Sequence, residues 1–305
     1  MTTEVESIIS RAKNKRNLKR QKLSQAAGFS LVWLCGLIAL AAVLWIIGYV
    51  LSQGLPVLTL EFLTTKPAGG VSGEGGMSTT IVTTLYLVVL TIAIATPLGI
   101  GAAVYLVEYA SDASRESKFV AFLVKMARAG VEILAGVPSI IFGLFGFALF
   151  VSYLKFGFSL LSAGLSGAAL VLPTIIRTSE EALLTVPRSY REGSLSLGAT
   201  KMQTIFNVVL PSALPGIVTG IVLSVGRIIA ETAIFWVTLG GSYHLPKSVM
   251  NSGRSMALHV YMLASETRAF DKAMATASVL IITIILLNLG INTLSRRLTT
   301  RMTGN

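Results

Sequence analysis

The stretch Pro187-Arg-Ser-Tyr-Arg-Glu-Gly-Ser-Leu-Ser-Leu-Gly-Ala-Thr200, which runs on to Val208-Val-Leu-Pro211, lies between two apolar segments of membrane length. We call residues 187–211 the knob. Ser189 followed three residues later by Glu192 is the pattern of a capping box and predicts a helix start. Gly198 then predicts the end of that helix, because glycine readily adopts the left-handed conformation that follows a helix C-terminus.

A second helix is predicted directly after Gly198, where Thr200 and Gln203 repeat the capping pattern. The knob is therefore expected to be two short helices joined at a glycine, a shape with little freedom. It contains no arrangement of catalytic side chains, so we expect it to bind another protein. Its charged residues are Arg188, Arg191, Glu192 and Lys201.

The composition indicates an integral membrane protein. Of the 305 residues, 53% are hydrophobic and 13% are charged, about half the charged fraction of a soluble domain. The net charge of +11 does not indicate a nucleic-acid partner, because membrane proteins gain basic residues at their cytoplasmic ends. Cys35 is the single cysteine and lies within an apolar run, which excludes an intrachain disulfide.

Six segments have the length that a helix needs to cross roughly 30 Å of hydrocarbon. They lie at 28–52, 79–107, 132–154, 159–177, 207–236 and 272–294. In the fifth, Gly216, Gly220 and Ser224 recur every four residues, which predicts close contact with another helix. The expected fold is all-α, a polytopic bundle of six transmembrane helices.

The distribution of Lys and Arg outside these segments predicts the orientation. Eighteen lie on the side of both termini and the knob, and six lie on the opposite side. Because positively charged loops stay in the cytoplasm, we expect both termini and the knob to be cytoplasmic. The tail 1–27 holds seven of these residues. A solvated, orientation-setting tail is the preferred interpretation, and a helix that binds membrane lipid is the alternative.

Motifs for catalysis are missing from the sequence. There is no glycine-rich loop ending in Gly-Lys-Ser/Thr and no dinucleotide-binding pattern. His244 and His259 have no nearby cysteine or paired carboxylates, which argues against a zinc site. We expect the chain to be no enzyme and to bind no cofactor or metal by itself.

Two charged residues fall within the fifth segment. Arg227 and Glu231 are four residues apart, so we expect them to share one helix face. A charged side chain at a span centre costs about 2.5–3.5 kcal/mol on the insertion scale, so such residues usually line a solvated path. The alternative is an ion pair that locks helices together.

A second charged group follows the fourth segment. Arg177 ends that segment, and Glu180 and Glu181 come three and four residues later. An ion pair gating the cytoplasmic mouth is one interpretation. The preferred one makes these residues interface anchors, with a helix starting at Thr178.

The knob resembles the coupling loop of bacterial ABC-importer permeases, which has Glu-Ala-Ala, three residues, Gly, nine residues, Ile, one residue and Leu-Pro. The matching positions are Glu192, Gly193, Ser194, Gly198, Val208, Leu210 and Pro211. Gly193 and Ser194 replace the two alanines and Val208 replaces the isoleucine, all by small or aliphatic residues.

Four segments are similar to the phosphate-importer branch of this family, the PstA permeases, and the resemblance covers about residues 78 to 295. They are Gly136-Val-Pro-Ser-Ile-Ile-Phe-Gly-Leu-Phe-Gly146, Leu172-Pro-Thr-Ile-Ile-Arg177-Thr-Ser-Glu180-Glu-Ala, Val186 to Thr200, and Gly226-Arg227-Ile-Ile-Ala-Glu231-Thr-Ala.

The resemblance implies a type I ABC-importer permease fold in the bacterial inner membrane. The first span, 28–52, would precede a permease domain at 78–295, with a coupling loop at 178–206 and a coupling helix between helices 4 and 5. It implies a PstC-like second permease, a PstB-like ATPase dimer that holds ATP and Mg, and a PstS-like phosphate-binding protein. It is consistent with a substrate path at Arg227, Glu231, Arg177 and Glu180, and with ATPase coupling through Arg188, Arg191, Glu192, Gly193, Ser194, Gly198, Leu210 and Pro211.

Two other functions remain open from the residues alone. An ion-coupled secondary anion transporter would need no ATPase, and an internal inverted repeat would favour it. We find no convincing similarity between spans 1–3 and 4–6. The other alternative is a membrane scaffold or sensor for phosphate signalling, to which transport would be secondary.

Overall fold

The computed structural model describes residues 2–68, 73–110, 117–267 and 269–303, and helices form most of them. Only an isolated antiparallel bridge, between Pro67 and Gly75, pairs extended backbone in the described part of the chain. The chain divides into two compact units, Met1–Ser52 and Gln53–Asn305. The prediction of an all-α fold is confirmed.

Helix α1, Thr2–Gly54, makes up the first unit. Its backbone is helical through the basic tail, so residues 2–27 continue the helix of the first span instead of forming a separate coil. Gly28–Val57 has the length and hydropathy of a membrane span. Trp33 and Trp45 on it are 71% and 78% exposed, as expected for side chains that face lipid.

The second unit contains eleven further α-helices in its described residues, after a short 3-10 helix at Leu55–Val57. They are α2 (Leu60–Thr64), α3 (Ser78–Val104), α4 (Lys118–Ala135), α5 (Ser139–Gly146), α6 (Leu160–Thr185), α7 (Arg188–Ser196), α8 (Lys201–Thr204), α9 (Leu210–Ile229), α10 (Ala233–Thr238), α11 (Met256–Glu266) and α12 (Phe270–Thr303). Helices α3 and α5 each continue as a wider π-helical segment, at Tyr105–Tyr109 and Phe147–Tyr153, and another such segment, Ile205–Val209, joins α8 to α9.

Five helical stretches have the length and hydropathy of membrane spans, and a bent pair brings the number to six if it counts as one. The bent pair, Lys118–Ala135 with Ser139–Tyr153, corrects the prediction of a straight third span at 132–154. Its two parts meet at 106°, and most of the first part occupies the predicted loop 108–131. Pro138 explains the bend, because a proline excludes the preceding residue from helical geometry.

Helix α6 is the most buried membrane span of the second unit, and small residues let α9 approach it closely. A Cβ placed on Gly220 would overlap the hydroxyl of Thr178, and one on Gly216 would lie 2.6 Å from the Cβ of Ala182. The predicted contact along Gly216, Gly220 and Ser224 is therefore confirmed. Around this pair, buried apolar side chains of α3, α6, α9 and α10 form the main core: Leu87, Val171, Ile175, Ile228, Ile229 and Phe235.

Helix α6 runs without interruption from Leu160 to Thr185. This corrects both the predicted span end at Arg177 and the predicted helix start at Thr178. The non-helical residues that follow α6 therefore begin at residue 186, whereas the coupling loop was expected to begin at residue 178. The hydroxyl of Thr178 bonds back to the carbonyl of Thr174, 2.9 Å away, and so needs no helix end there.

Candidate functional site

The first helix of the knob starts differently from the prediction. Helix α7 begins at Arg188, with Pro187 at the N-cap position and no side chain bonded to the helix end. Ser189 therefore lies inside the first turn, and its predicted capping box with Glu192 is wrong. The reason is local: Val186 precedes a proline and is held extended, so the helix forms at the first position after Pro187.

The predicted end of this helix at Gly198 is confirmed. Gly198 has a φ of +85°, in the left-handed region. Its N–H donates to the carbonyl of Leu195 at 3.0 Å, and the N–H of Ala199 donates to the carbonyl of Ser194 at 3.3 Å. This pair of bonds is the Schellman motif, which satisfies carbonyls that the helix end leaves free.

The second capping box is also confirmed. The hydroxyl of Thr200 accepts a bond from the N–H of Gln203 at 3.3 Å, and the Gln203 side chain accepts one from the N–H of Thr200 at 2.8 Å. The hydroxyls of Ser194 and Thr204 lie 2.9 Å apart and connect α7 to α8. The two helices thus form one braced unit.

The knob presents an exposed apolar surface together with exposed charge. Leu197 is 91% exposed. Arg188, Glu192 and Gly193 are also exposed. Leu210 and Pro211 differ, because they lie in the first turn of α9 and are half-buried. Other large exposed apolar side chains of the knob are Tyr190, Leu195, Met202 and Phe206. So many large exposed apolar side chains on one short segment indicate a protein-binding surface.

Arg191 turns inward and joins the knob to two transmembrane helices. Its Nη2 donates to Oε1 of Glu108 at 2.7 Å, and its Nε donates to the same oxygen at 3.0 Å. The guanidinium also donates to the carbonyls of Leu183, at 2.9 Å, and Val186, at 2.7 Å. These carbonyls end α6, so Arg191 holds α7 against the ends of both α3 and α6.

Glu108 was not singled out from the sequence. Its side chain is 9% exposed. The residue directly follows the apolar segment 79–107, where a buried carboxylate is unfavourable unless it is paired with a positive charge. That position is the only sequence feature that could have drawn attention to it. The neighbouring Tyr109 contacts α8: the Lys201 ammonium lies 4.8 Å from its ring centroid. Both knob helices therefore rest on the same end of α3.

A cleft of about 530 Å³ opens beside these contacts. Arg188, Glu192, Leu195 and Lys201 line it on the knob side, and Glu108 lines it on the α3 side. The cleft combines charged groups with an apolar wall, which suits a protein side chain entering from a partner.

The charged group near the end of α6 does not form the ion pair with Arg177 that was one of its two interpretations. Glu180 pairs with Arg128 on α4, at 2.8 Å, and not with Arg177. Arg128 also donates to the carbonyl of Leu106, at 3.2 Å. Arg177 is exposed and makes no ion pair with any side chain that the structure describes. The structure therefore separates Arg177 from Glu180 and leaves its guanidinium accessible.

Arg227 and Glu231 do not share a helix face. Helix α9 ends at Ile229, so Glu231 lies beyond it, 8% exposed, where its Oε1 accepts a bond from the N–H of Ile234 at 3.2 Å. The carboxylate thus caps α10, which explains why the helix is interrupted there. Arg227 is exposed, and among the described residues it has no ion-pair partner.

Comparison with known proteins agrees with this architecture. Residues 95–304 match the family model described as the inner membrane component of binding-protein-dependent transport systems. The phosphate transport system permease protein PstA 1 of Mycobacterium tuberculosis (strain CDC 1551 / Oshkosh) is 33% identical over 276 residues, 88% of each chain. The probable ABC transporter permease protein YqgI of Bacillus subtilis (strain 168) is 28% identical over 301 residues, 93% of this chain and 99% of that one.

Solved structures of ABC importers share the fold. A permease of a bacterial alginate ABC transporter superposes with a TM-score of 0.60 at 16% identity, covering 88% of this chain and 95% of that chain. A permease of the inward-facing MetNI methionine ABC transporter gives 0.55 at 21% identity, covering 72% and 93%. The chain belongs to the family of binding-protein-dependent transport system inner membrane components, within its PstA permeases, and is a transmembrane permease subunit of an ABC importer.

Proposed function

We propose that this permease carries inorganic phosphate across the bacterial inner membrane, together with a second permease of PstC type. The observation that supports this most is Arg227, a guanidinium exposed on a membrane-spanning helix without an ion-pair partner among the described residues. A charge in that position is expensive unless it faces water or an anion. A guanidinium also matches the geometry of phosphate oxygens. The relatives named PstA support phosphate as the anion.

Arg177 adds a second positive charge to the proposed path. It precedes Thr178, the residue of α6 that packs against Gly220 of α9. Arg227 lies seven residues further along α9, or about 10 Å at 1.5 Å per residue. Both side chains are exposed in the single chain, which leaves them accessible to a path shared with the second permease. Glu231 and Glu180, in contrast, are assigned to holding helices in place.

The ATPase contact is proposed at the exposed face of the knob. An ATPase dimer of PstB type, with ATP and Mg, would bind Tyr190, Leu195 and Leu197 on the cytoplasmic side. Arg191 is not part of that contact, since its guanidinium is occupied by Glu108 and by the end of α6. Arg191 would instead transmit movement of the knob to α3 and α6. A side chain that is bonded to both helices moves them together when the complex changes from one state to the other.

The test is reconstitution of the chain with its partners in proteoliposomes. We expect phosphate uptake and phosphate-stimulated ATP hydrolysis from the complex with the second permease, the ATPase and a phosphate-binding protein of PstS type, and no uptake from the chain alone. Uptake by the chain alone under an ion gradient would indicate a secondary transporter. Stimulation by another anion but not by phosphate would refute the proposed cargo.

A further inference from the structure

A second cavity lies at the opposite end of α3 from the knob. Glu108, at one end of this helix segment, binds Arg191; Thr79, at the other end, donates to the carbonyl of Tyr243 at 3.1 Å. Beside Tyr243 the described residues enclose a cavity of about 240 Å³. Its lining includes Arg254 and His259, which belong to neither the knob nor the proposed path.

Arg254 is the unusual member of this cavity. It is 6% exposed, yet no carboxylate of the described residues lies within ion-pair distance. Its Nε and Nη2 both donate to the carbonyl of Gly241, at 3.1 and 2.9 Å, and its guanidinium lies 4.2 Å from the ring centroid of Tyr243. These contacts fix the orientation of the side chain without neutralising its charge.

His259 completes the arrangement as a neutral ring. It is 3% exposed, and burial, together with the neighbouring Arg254, lowers its pKa to about 3. Its Nδ1 lies 3.3 Å from Nη1 of Arg254. Because a guanidinium can only donate, Nδ1 must accept, and the ring proton is on Nε2. The cavity lining therefore contains one fixed positive charge beside a neutral imidazole ring.

Hydrogen-bond capacity is left over on the guanidinium. Arginine has five N–H groups, and the bonds to Gly241 and His259 use three of them. One N–H remains on each terminal nitrogen, and no described residue accepts from either. Leaving a buried charge without a counter-ion is unfavourable, so an anion that enters the cavity would be stabilised there.

We propose that this cavity is a weak binding site for a small oxyanion, with Arg254 as its donor and His259 holding the guanidinium in place. This inference rests on the proposed function, because phosphate would be the oxyanion that occupies it. The exposed carboxylates of Glu74 and Glu266 also line the cavity and repel an anion. They would keep the affinity low, which suits a site that an ion must leave again.

The experiment measures binding of radiolabelled inorganic phosphate to the assembled permease pair and ATPase in nanodiscs, without the phosphate-binding protein. We expect saturable binding that Arg254→Gln weakens at least 10-fold. Lys247→Gln, an exposed change in the same 240–255 loop, should leave it unaltered. The double variant Glu74→Gln with Glu266→Gln should tighten binding several-fold while leaving the contacts of Arg254 intact.

The outcomes separate this inference from the proposed function. Binding that is unaffected by Arg254→Gln, or that the double carboxylate variant weakens, would overturn the oxyanion site even where phosphate uptake by the complex proceeds. If Arg254→Gln fails to assemble, the double variant alone decides. Sulfate serves as the second probe: Arg254-dependent binding in a complex that imports no phosphate would support the site and refute the cargo.

Discussion

The contact between Arg191 and Glu108 gives the sharpest prediction. Glu108→Gln removes the charge of a carboxylate that is 9% exposed and bonded to a guanidinium that is 20% exposed. Removing one partner of a buried ion pair costs about 3–5 kcal/mol, and the partial exposure of Arg191 favours the lower figure. At 1.36 kcal/mol per factor of ten, about 3 kcal/mol raises the population of a detached knob roughly 100-fold.

Arg191→Gln should have the larger effect. It removes the same ion pair and also the bonds to the carbonyls of Leu183 and Val186, which end α6. The two substitutions share one interaction, so their effects should not add. The double variant with Glu108→Gln should differ little from Arg191→Gln alone, which is the mark of residues in direct contact.

Amide hydrogen exchange of the knob in the assembled complex measures this opening directly. We expect residues 188–196 to exchange roughly 100-fold faster in Glu108→Gln, since local opening controls the exchange of such amides. Uptake per ATP hydrolysed should fall in the same variant. Glu181→Gln, an exposed change on α6 close to the knob, is the matched control and should alter neither quantity. Unchanged exchange and unchanged coupling in both Arg191→Gln and Glu108→Gln would refute the role of this contact.

Three further predictions concern the knob, the path and the core. Gly198→Val should uncouple ATP hydrolysis from uptake, because a β-branched residue at a φ of +85° costs roughly 1–2 kcal/mol or more. Gly198→Asn should stay coupled, since asparagine adopts the left-handed conformation more readily. A Cβ there meets no atom within 4 Å, so normal uptake by the valine variant would contradict the conformational argument. Arg227→Gln should abolish uptake while the complex still co-elutes on size exclusion; dissociation of the complex would instead indicate a helix contact. Gly220→Ala should lower the free energy of unfolding of the purified chain by about 1–3 kcal/mol, because the added Cβ overlaps Thr178. Gly226→Ala is the control, since a Cβ there meets no atom within 4 Å and should leave the stability unchanged. Equal stabilities of the two variants would exclude tight packing of α6 on α9.

Features fixed by contacts within a few residues were predictable. The Schellman end at Gly198 and the capping box from Thr200 to Gln203 each involve residues at most five apart, so their patterns are visible in the sequence. The membrane spans follow in the same way from length and apolar composition. The predicted capping box at Ser189 failed for a local reason, because Pro187 places the helix start at Arg188.

Helix breaks within apolar stretches were harder to predict. The bend at Pro138 and the end of α9 at Ile229 both interrupt runs that hydropathy treats as continuous. Beyond the end of α9, the carboxylate of Glu231 accepts a hydrogen bond from the N–H of Ile234 in the first turn of α10. This bond stands in for the backbone carbonyl that a continuous helix would provide. A carboxylate four residues after an arginine equally fits a helical ion pair, so the spacing alone could not choose between the two arrangements.

The sequence by itself determined that this chain is a helical membrane protein whose knob breaks at Gly198 and restarts at Thr200, because periodicity, composition and these end signals are local properties. Its resemblance to known permeases added the expectation of a permease. Only the tertiary structure decided what the charged side chains bind. Arg191 meets Glu108 across 83 residues, Glu180 meets Arg128, and buried Arg254 has no carboxylate of the described residues within ion-pair distance. The physical reason is that an ion pair depends on which helix ends pack together, and no spacing along the chain contains that information.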